Sequence, residues 1–403
     1  MNIKRKMRAP MNLSFPLLLV INLVTGCNTA LDDVGYQVPP VATGYQYSLP
    51  DQIAGDWPTG SLISVGVDSV PLIQMMDRIQ ANQNHRIHAI LLVRNGVLVF
   101  EEYFAGERWL SPGSYEPTEF TRETLHYQAS VTKSVTAIAV GLACDRGLLD
   151  LQTPVLSFFP GLSDLATDGR EEITLEHMIT MRSGLPWDEH TVYYDNPAND
   201  VYQLFHNSDP IRYIFDKTME APAGTLFHYN SGCTNVLGKV VELVTGQELD
   251  SFTEEWLFEP LGISEYYWSR LNSEVVFASG GLWLTPRDMA RIGELFLREG
   301  RWGDEQLLSN SWVAESVSSR SSFSYGWADG YGYGWWMLTY MTPDGPIETY
   351  FAAGWGEQQI IVVPDLDLVA VFTGGAYDDP AFRSPAQLMA TYIIPAVLNG
   401  SGV

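Results

Sequence analysis

The sequence has few cysteines and little positive charge. Only three of its 403 residues are cysteine, and 23 Lys and Arg residues face 48 Asp and Glu residues, a formal net charge of −25. Binding a polyanion needs clustered basic side chains that displace counterions, so this balance argues against a nucleic-acid partner. The chain also lacks metal-ligand spacings and P-loop, dinucleotide-fingerprint, G-x-S-x-G and H-E-x-x-H motifs. We therefore expect no metal and no cofactor.

Long apolar runs are absent after the first 27 residues, which have the layout of a secretory signal. Basic residues between Lys4 and Arg8 precede the apolar run Leu13 to Val24, and Val24-Thr25-Gly26-Cys27 follows. No later segment has 18 uninterrupted apolar residues. The last four residues of the signal resemble a bacterial lipobox, which implies that Cys27 is lipidated and that the membrane is reached only through this lipid. Because Asn28 is not aspartate, the periplasmic side of the outer membrane is favoured.

Two cysteines remain, Cys144 and Cys233, and each lies in an apolar segment of helical character. In an exported protein they could form one disulfide. Buried free thiols are an equally natural interpretation, since cysteine behaves as a small apolar residue. The sequence leaves both alternatives open.

The chain is 46% hydrophobic, enough for one large packed domain. After a predicted tether over residues 28–65, we place the domain at residues 66–403. A helix around Leu72 to Ile79 precedes a hairpin with the turn Asn95-Gly96, and strands 359–363 and 368–372 precede a closing helix over 385–398. Helices over 130–146 and from Thr285 to about 300 lie between. This order predicts an α+β fold, with an antiparallel sheet from both chain ends and a helical insertion.

The first chemistry-bearing motif is Ser130-Val131-Thr132-Lys133, at the start of the helix over 130–146. Ser130 and Lys133 are three residues apart and therefore share one helix face, about 5–6 Å apart at Cβ. Lys133 is the only charged residue from Ser130 to Cys144. A serine hydroxyl needs a neighbouring base to become a nucleophile, and a desolvated lysine can be that base.

The second motif is Tyr229-Asn230-Ser231, which opens the helical stretch 235–245. Together with Ser130 and Lys133 it resembles the penicillin-recognising serine hydrolase superfamily, in particular the branch of AmpC-type β-lactamases, family VIII carboxylesterases and 6-aminohexanoate-oligomer hydrolases. Further segments carry the resemblance over residues 70–400: Thr174 to Met178, Arg182 to Trp187, Glu259 to Gly262, Gly280 to Asp288 and Tyr331 to Trp336.

The resemblance implies a β-lactamase/penicillin-binding-protein-like fold and acyl transfer through an ester on Ser130. Lys133 and Tyr229 would handle its proton, and which of them is the formal base stays open. Ser231 stands where many relatives have asparagine, which weakens the expectation of β-lactam recognition.

The resemblance also implies a strand that completes the oxyanion hole. We align it with Ala352-Ala353-Gly354, so that the Trp355 N–H is a donor; a shifted register would use Trp355-Gly356-Glu357. In either register this chain lacks the lysine with which relatives bind the carboxylate of a β-lactam, and Ala352 occupies its position.

These residues predict a serine hydrolase that acts on small esters or amides as its small-molecule partner. A β-lactamase or D,D-peptidase is the alternative, and an inactive binding or scaffold lipoprotein is the second. His126 and His228 are interpreted as structural, whereas the tryptophans at 335, 336 and 355 are candidates for core packing or for the cleft wall.

Overall fold

The computed structural model describes residues 44–82, 84–111, 113–271, 275–323, 327–377 and 384–400. The predicted signal and Cys27 lie outside these residues. Among the helices within these ranges, none is long and apolar enough to cross a membrane.

An eight-stranded antiparallel sheet forms the centre of the fold, in the order β12-β13-β14-β15-β16-β17-β1-β2. Strands β1 and β17 pair next to the edge strand β2, so the sheet-forming segments from the two ends of the domain meet there. The strands are β1 Ile87–Arg94, β2 Val97–Tyr103, β3 Ala105–Ser111, β4 Ser114–Glu119, β5 His126–Tyr127, β6 Tyr267–Trp268, β7 Arg270–Leu271, β8 Val275–Val276, β9 Leu282–Leu284, β10 Arg301–Trp302, β11 Glu305–Gln306, β12 Ser321–Ser322, β13 Gly330–Tyr331, β14 Trp336–Thr342, β15 Gly345–Gly354, β16 Gln358–Val363 and β17 Leu368–Gly374.

Helices cover the sheet and build the insertion between β4 and β12. Helix α9 packs on β1, β16 and β17, while α2 packs against α6 and reaches β15 and β16. The α-helices are α1 Ser69–Ala81, α2 Val131–Asp145, α3 Leu175–Ile179, α4 Asp200–His206, α5 Pro210–Phe215, α6 Ser231–Thr245, α7 Leu249–Thr253, α8 Glu259–Leu261, α9 Pro286–Leu297, α10 Asn310–Ser316, α11 Ser384–Leu388 and α12 Ile394–Gly400.

The sheet and its insertion confirm the predicted α+β class. The hairpin turns at Asn95-Gly96, whose residues both have positive φ, as expected for this turn. Thr285 caps α9 by accepting a hydrogen bond from the Asp288 N–H. Where residues 385–398 were predicted as one helix, α11 and α12 are joined by a π-helical turn over Met389–Ile393.

The predicted tether over 28–65 is too long at its C-terminal end, because residues 44–65 pack on the domain. The Tyr47 hydroxyl donates to the Val99 carbonyl at 2.8 Å. Trp57 is only 5% exposed, and Asp56 forms ion pairs with Arg287 and Arg291. Composition without periodicity suggested a linker, but irregular chain can bury aromatic side chains through long-range contacts that the local pattern does not reveal.

The two cysteines are free thiols, so the structure decides between the alternatives that the sequence left open. Cys144 is half-buried and Cys233 is fully buried. Burial raises the pKa of each thiol to about 12, which makes both poor nucleophiles at neutral pH.

Candidate active site

Ser130 lies at the N-terminus of α2, where a strained residue precedes it. Ala129 has φ 46°, in the left-handed region that a residue with a Cβ rarely adopts. Ser130 occupies the N-cap position without using its side chain as a cap. Its hydroxyl is therefore available for other contacts, and the N-terminal end of α2 favours negative charge next to it.

Lys133 is 3% exposed in a helix whose neighbouring side chains are buried. Its Nζ donates to Ser130 Oγ at 2.9 Å and to the Ser279 carbonyl at 2.9 Å. Burial lowers the pKa of Lys133 to about 8, and the charge of Glu189 opposes this decrease. An amine with this pKa is partly neutral near pH 8, and a neutral amine can accept a proton from Ser130.

Tyr229 immediately precedes the N-cap of α6. Asn230, the cap, accepts a hydrogen bond from the Cys233 N–H at 3.2 Å, and this fixes the direction of the chain at Tyr229. The Ser130 side chain is close enough to the Tyr229 hydroxyl to oppose the effect of burial on the pKa of the phenol, and Lys133 Nζ lies 4.8 Å from the centre of the Tyr229 ring. Burial of the hydroxyl raises the pKa of Tyr229 well above its ordinary value. Ser130, Lys133 and Tyr229 therefore meet in one place.

Ser231 is buried and belongs to a hydrogen-bond network that reaches Lys133. It is 3% exposed, and its carbonyl accepts from Asn235 Nδ2 at 2.8 Å. The same Asn235 amide donates to Ser279 Oγ at 2.9 Å. The Ser279 carbonyl in turn accepts the hydrogen bond from Lys133. Asn235 and Ser279 therefore connect the start of α6 to the lysine of α2.

The end of β15 passes directly beside the nucleophile. A Cβ on Gly354 would lie 2.2 Å from the Gln128 carbonyl oxygen and 3.2 Å from the Ser130 nitrogen. Only glycine allows this approach. The contact brings Gly354 and Trp355 next to Ser130 and favours the first of the two registers proposed for the oxyanion strand.

The side chains of β15 alternate in direction before Gly354. This alternation indicates which residue of the strand could present a cation, such as the lysine of β-lactam-binding relatives, to the cleft. Ala352 is fully buried, whereas Ala353 lines the cleft in front of Ser130. Alanine occupies both positions. A side chain from residue 353, not 352, would therefore project into the cleft.

A cleft of ≈ 990 Å³ opens in front of Ser130, and its wall is largely aromatic. Its lining includes the carboxylates Asp188, Glu189 and Glu357, but no lysine or arginine from the described ranges. A cleft of this kind favours apolar, neutral groups over anions. The aromatic lining residues are Trp187, Tyr193, Tyr194, Phe227, Tyr229, Trp327, Trp336, Tyr340, Phe351, Trp355 and Tyr377.

Two of the three candidate tryptophans, Trp336 and Trp355, form part of this wall, and the third does not. The Trp336 ring stacks on Tyr229 with centroids 5.7 Å apart. Trp355 packs against Tyr194 and is held by its indole N–H, which donates to the Tyr377 carbonyl at 2.9 Å. Trp335 is completely buried in the core.

The two histidines near the motifs have structural contacts. His126 Nε2 lies 2.8 Å from His88 Nδ1 in a buried pair. His228 Nδ1 contacts the Glu220 carboxylate, and its Nε2 lies 2.6 Å from the Trp187 carbonyl oxygen.

Sequence patterns did not identify Glu189, a buried acid among the cleft residues. It follows Trp187-Asp188 in a segment without regular periodicity, so no motif distinguishes it from surface acids. The lone signal is its position shortly after Arg182 to Trp187, one of the segments that carry the family resemblance.

The family model described as Beta-lactamase matches residues 72–390. The chain belongs to the Beta-lactamase family. The match covers most of α1, the central sheet and every site residue described above.

Relatives of this Beta-lactamase family member include hydrolases of several kinds. It is 28% identical over 255 residues to 6-aminohexanoate-dimer hydrolase of Paenarthrobacter ureafaciens, which covers 58% of this chain and 57% of that protein. It is 32% identical over 150 residues to esterase EstB of Burkholderia gladioli, 36% of this chain and 38% of the esterase. The chain thus spans little more than half the length of the first relative and less of the second.

Among solved structures, the putative 6-aminohexanoate-dimer hydrolase from Bacillus anthracis has the same fold. The TM-score is 0.64 at 21% sequence identity, over 80% of this chain and 81% of that one.

Proposed function

We propose that this Beta-lactamase family member is a serine hydrolase that acts through an acyl-enzyme on Ser130. The observation that carries the proposal is the 2.9 Å contact between Lys133 Nζ and Ser130 Oγ inside a buried site. A lysine that only covers apolar surface would extend its amine toward water. This amine instead points at a hydroxyl on the wall of a cleft.

In the proposed reaction Ser130 Oγ attacks the carbonyl carbon of the substrate. The hydroxyl proton passes to Lys133 or Tyr229, and the backbone N–H groups of Ser130 and Trp355 stabilise the oxyanion. Collapse of the tetrahedral intermediate breaks the bond to the leaving group, which takes the proton. Water then attacks the Ser130 ester and gives its proton to the same base; the bond to Ser130 Oγ breaks, Oγ takes that proton back, and the acid is released.

Small esters or amides are the proposed substrates. The cleft presents aromatic surface and carboxylates, so a neutral acyl group can bind by burial while an anion is repelled. One relative is named as a 6-aminohexanoate-dimer hydrolase and another as an esterase, which supports this substrate class.

A β-lactamase or D,D-peptidase is the alternative, supported by a 23% identical relative named as a putative D-alanyl-D-alanine carboxypeptidase of Escherichia coli. The absence of a cation at residues 352 and 353 argues against β-lactam binding.

We also propose that the protein is lipid-anchored through Cys27 in the cell envelope, on the periplasmic side of the outer membrane. The support is the sequence Val24-Thr25-Gly26-Cys27 after an apolar run. The domain would then act on small molecules near that membrane.

The experiment is a comparison of p-nitrophenyl esters, small amides and β-lactams as substrates of the parent, Ser130→Ala, Lys133→Ala and the double variant. Ester or amide turnover should be lost in each single variant. The double variant should be about as inactive as either, because members of a catalytic unit are not additive. If no substrate is turned over and a fluorophosphonate fails to label the parent, the inactive binding-protein alternative replaces this proposal.

A further inference from the structure

One carboxylate is built into the wall of the cleft beside the proposed catalytic residues. We propose that Glu189 is a positioning residue, whose buried negative charge sets the pH range in which Ser130 can be activated. This inference rests on the proposed hydrolase function and concerns the same site.

Glu189 is rigidly held. Its side chain is buried, and Oε2 accepts hydrogen bonds from Trp187 Nε1 at 2.6 Å and from the Ser231 N–H at 3.0 Å. Its backbone carbonyl accepts from Asn199 Nδ2 at 3.2 Å. The carboxylate therefore bonds to the first turn of α6, two residues after Tyr229.

Burying a carboxylate is costly unless something compensates for it, and two hydrogen bonds compensate only in part. The remaining compensation lies across the site. Lys133 of α2 is the cation that the Glu189 charge stabilises, and the charge raises the pKa of that amine against the effect of burial. The acid and the lysine are thus coupled although they lie on different elements.

The titratable groups that face Glu189 come from each element packed around it. They are Lys133 on α2, Tyr229 before α6, Cys233 on α6, Tyr331 on β13 and Tyr194 in the loop after Glu189. A negative charge makes each phenol and the thiol harder to ionise and the amine harder to deprotonate. Glu189 raises the pKa of Tyr229 for this reason.

The direction of the effect does not depend on which residue is the base. If neutral Lys133 takes the Ser130 proton, removing the Glu189 charge lowers the lysine pKa and makes the neutral amine available at lower pH. If the Tyr229 phenolate is the base, removing the charge lowers the tyrosine pKa in the same direction. In both cases the acid limb of the kcat/KM profile moves to lower pH.

Glu189→Gln is the decisive variant, because the amide oxygen can still accept from Trp187 and Ser231 while the charge is gone. The measurement is kcat/KM for p-nitrophenyl butyrate from pH 5 to 10 in the full-length protein. We expect the acid limb to move down by about 1 pH unit, the lower end of the shift that a single nearby charge causes. Asp188→Asn is the matched control: its acid limb should coincide with that of the parent, whatever its rate.

An unchanged or upward-shifted acid limb in a folded Glu189→Gln variant overturns the inference, as does an equal shift in Asp188→Asn. If Glu189→Gln does not fold, Glu189→Asp takes its place. The shorter side chain withdraws the charge from Lys133, and a smaller downward shift is expected; no shift or an upward one overturns the inference. Failure of the proposed function would look different, since the parent itself would then neither turn over the ester nor react with a fluorophosphonate.

Discussion

Lys133 Nζ contacts Ser130 Oγ and the Ser279 carbonyl oxygen, each at 2.9 Å. One amine therefore joins the N-terminus of α2 to the segment that enters β9. The same segment is held to α2 by Thr136, which donates to the Ala278 carbonyl at 2.7 Å. The lysine is consequently both a partner of the proposed nucleophile and a buried part of the fold, and its protonation affects stability as well as activity.

Burial of Lys133 predicts a pH-dependent stability difference from Lys133→Met. Its pKa falls from 10.5 to about 8 on folding, so between these values the unfolded chain binds more protons. The contribution of the lysine to stability therefore rises with pH across this window, by at most about 1.4 kcal/mol per pH unit. Parent and variant would be unfolded in urea at pH 7.5, 8.5 and 9.5. The free energy of unfolding of the parent should increase with pH relative to that of Lys133→Met. A difference that stays constant with pH contradicts the burial argument.

Gly354→Ala should strongly reduce turnover. The added Cβ would meet the Gln128 carbonyl oxygen at 2.2 Å, so β15 must move away from Ser130 and the oxyanion site must widen. Displaced oxyanion donors cost about 10²–10³-fold in kcat. Gly161→Ala is the matched control, because nothing lies within 4 Å of its new Cβ. The measurement is kcat on p-nitrophenyl butyrate, and parent-like activity in Gly354→Ala would mean that β15 does not supply the oxyanion donor.

Charge in the cleft should set the ranking of substrates. We expect kcat/KM for p-nitrophenyl butyrate to exceed that for nitrocefin, since a lost charge-assisted hydrogen bond is worth about 1.5–3 kcal/mol, or roughly tenfold to a hundredfold.

Introducing a cation at the cleft wall provides the reciprocal test. Ala353→Lys should raise kcat/KM for nitrocefin relative to the ester, because residue 353 lines the cleft. Ala352→Lys should instead destabilise the domain, because residue 352 is completely buried. Equal efficiency of the parent on the two substrates would favour the β-lactamase alternative.

Lipidation of Cys27 is predicted by the apolar run and the Val24-Thr25-Gly26 residues before it. Metabolic labelling with a fatty-acid analogue should mark the parent and leave Cys27→Ala unlabelled. Equal labelling of both proteins would contradict lipidation at Cys27.

Much of the fold could be predicted because its elements have strong local signals. The Asn95-Gly96 turn and the Thr285 cap each act within a few residues of chain. The antiparallel sheet that joins β1 with β17 followed from having sheet-forming segments at both ends of the domain. Packing of residues 44–65 on the domain could not be foreseen, since it depends on contacts such as Tyr47 with Val99 that are distant in sequence.

The site divides in the same way. Ser130 and Lys133 are neighbours on one helix, so their spacing was sufficient to pair them. Tyr229 required the family resemblance, because the contact between α2 and α6 is made in three dimensions. Glu189 was missed because only its burial distinguishes it from the neighbouring acids. The burial of one residue in an irregular loop cannot be predicted from the local sequence.

The most direct test of the proposed reaction is covalent trapping on Ser130. The protein would be mixed with excess p-nitrophenyl butyrate, quenched in acid within the first turnovers and measured by intact mass and peptide mapping. We predict a butyryl adduct on the peptide that contains Ser130, absent from a folded Ser130→Ala variant that also loses turnover. An adduct on another residue, or ester hydrolysis that persists in Ser130→Ala, would contradict the assignment of Ser130 as the nucleophile.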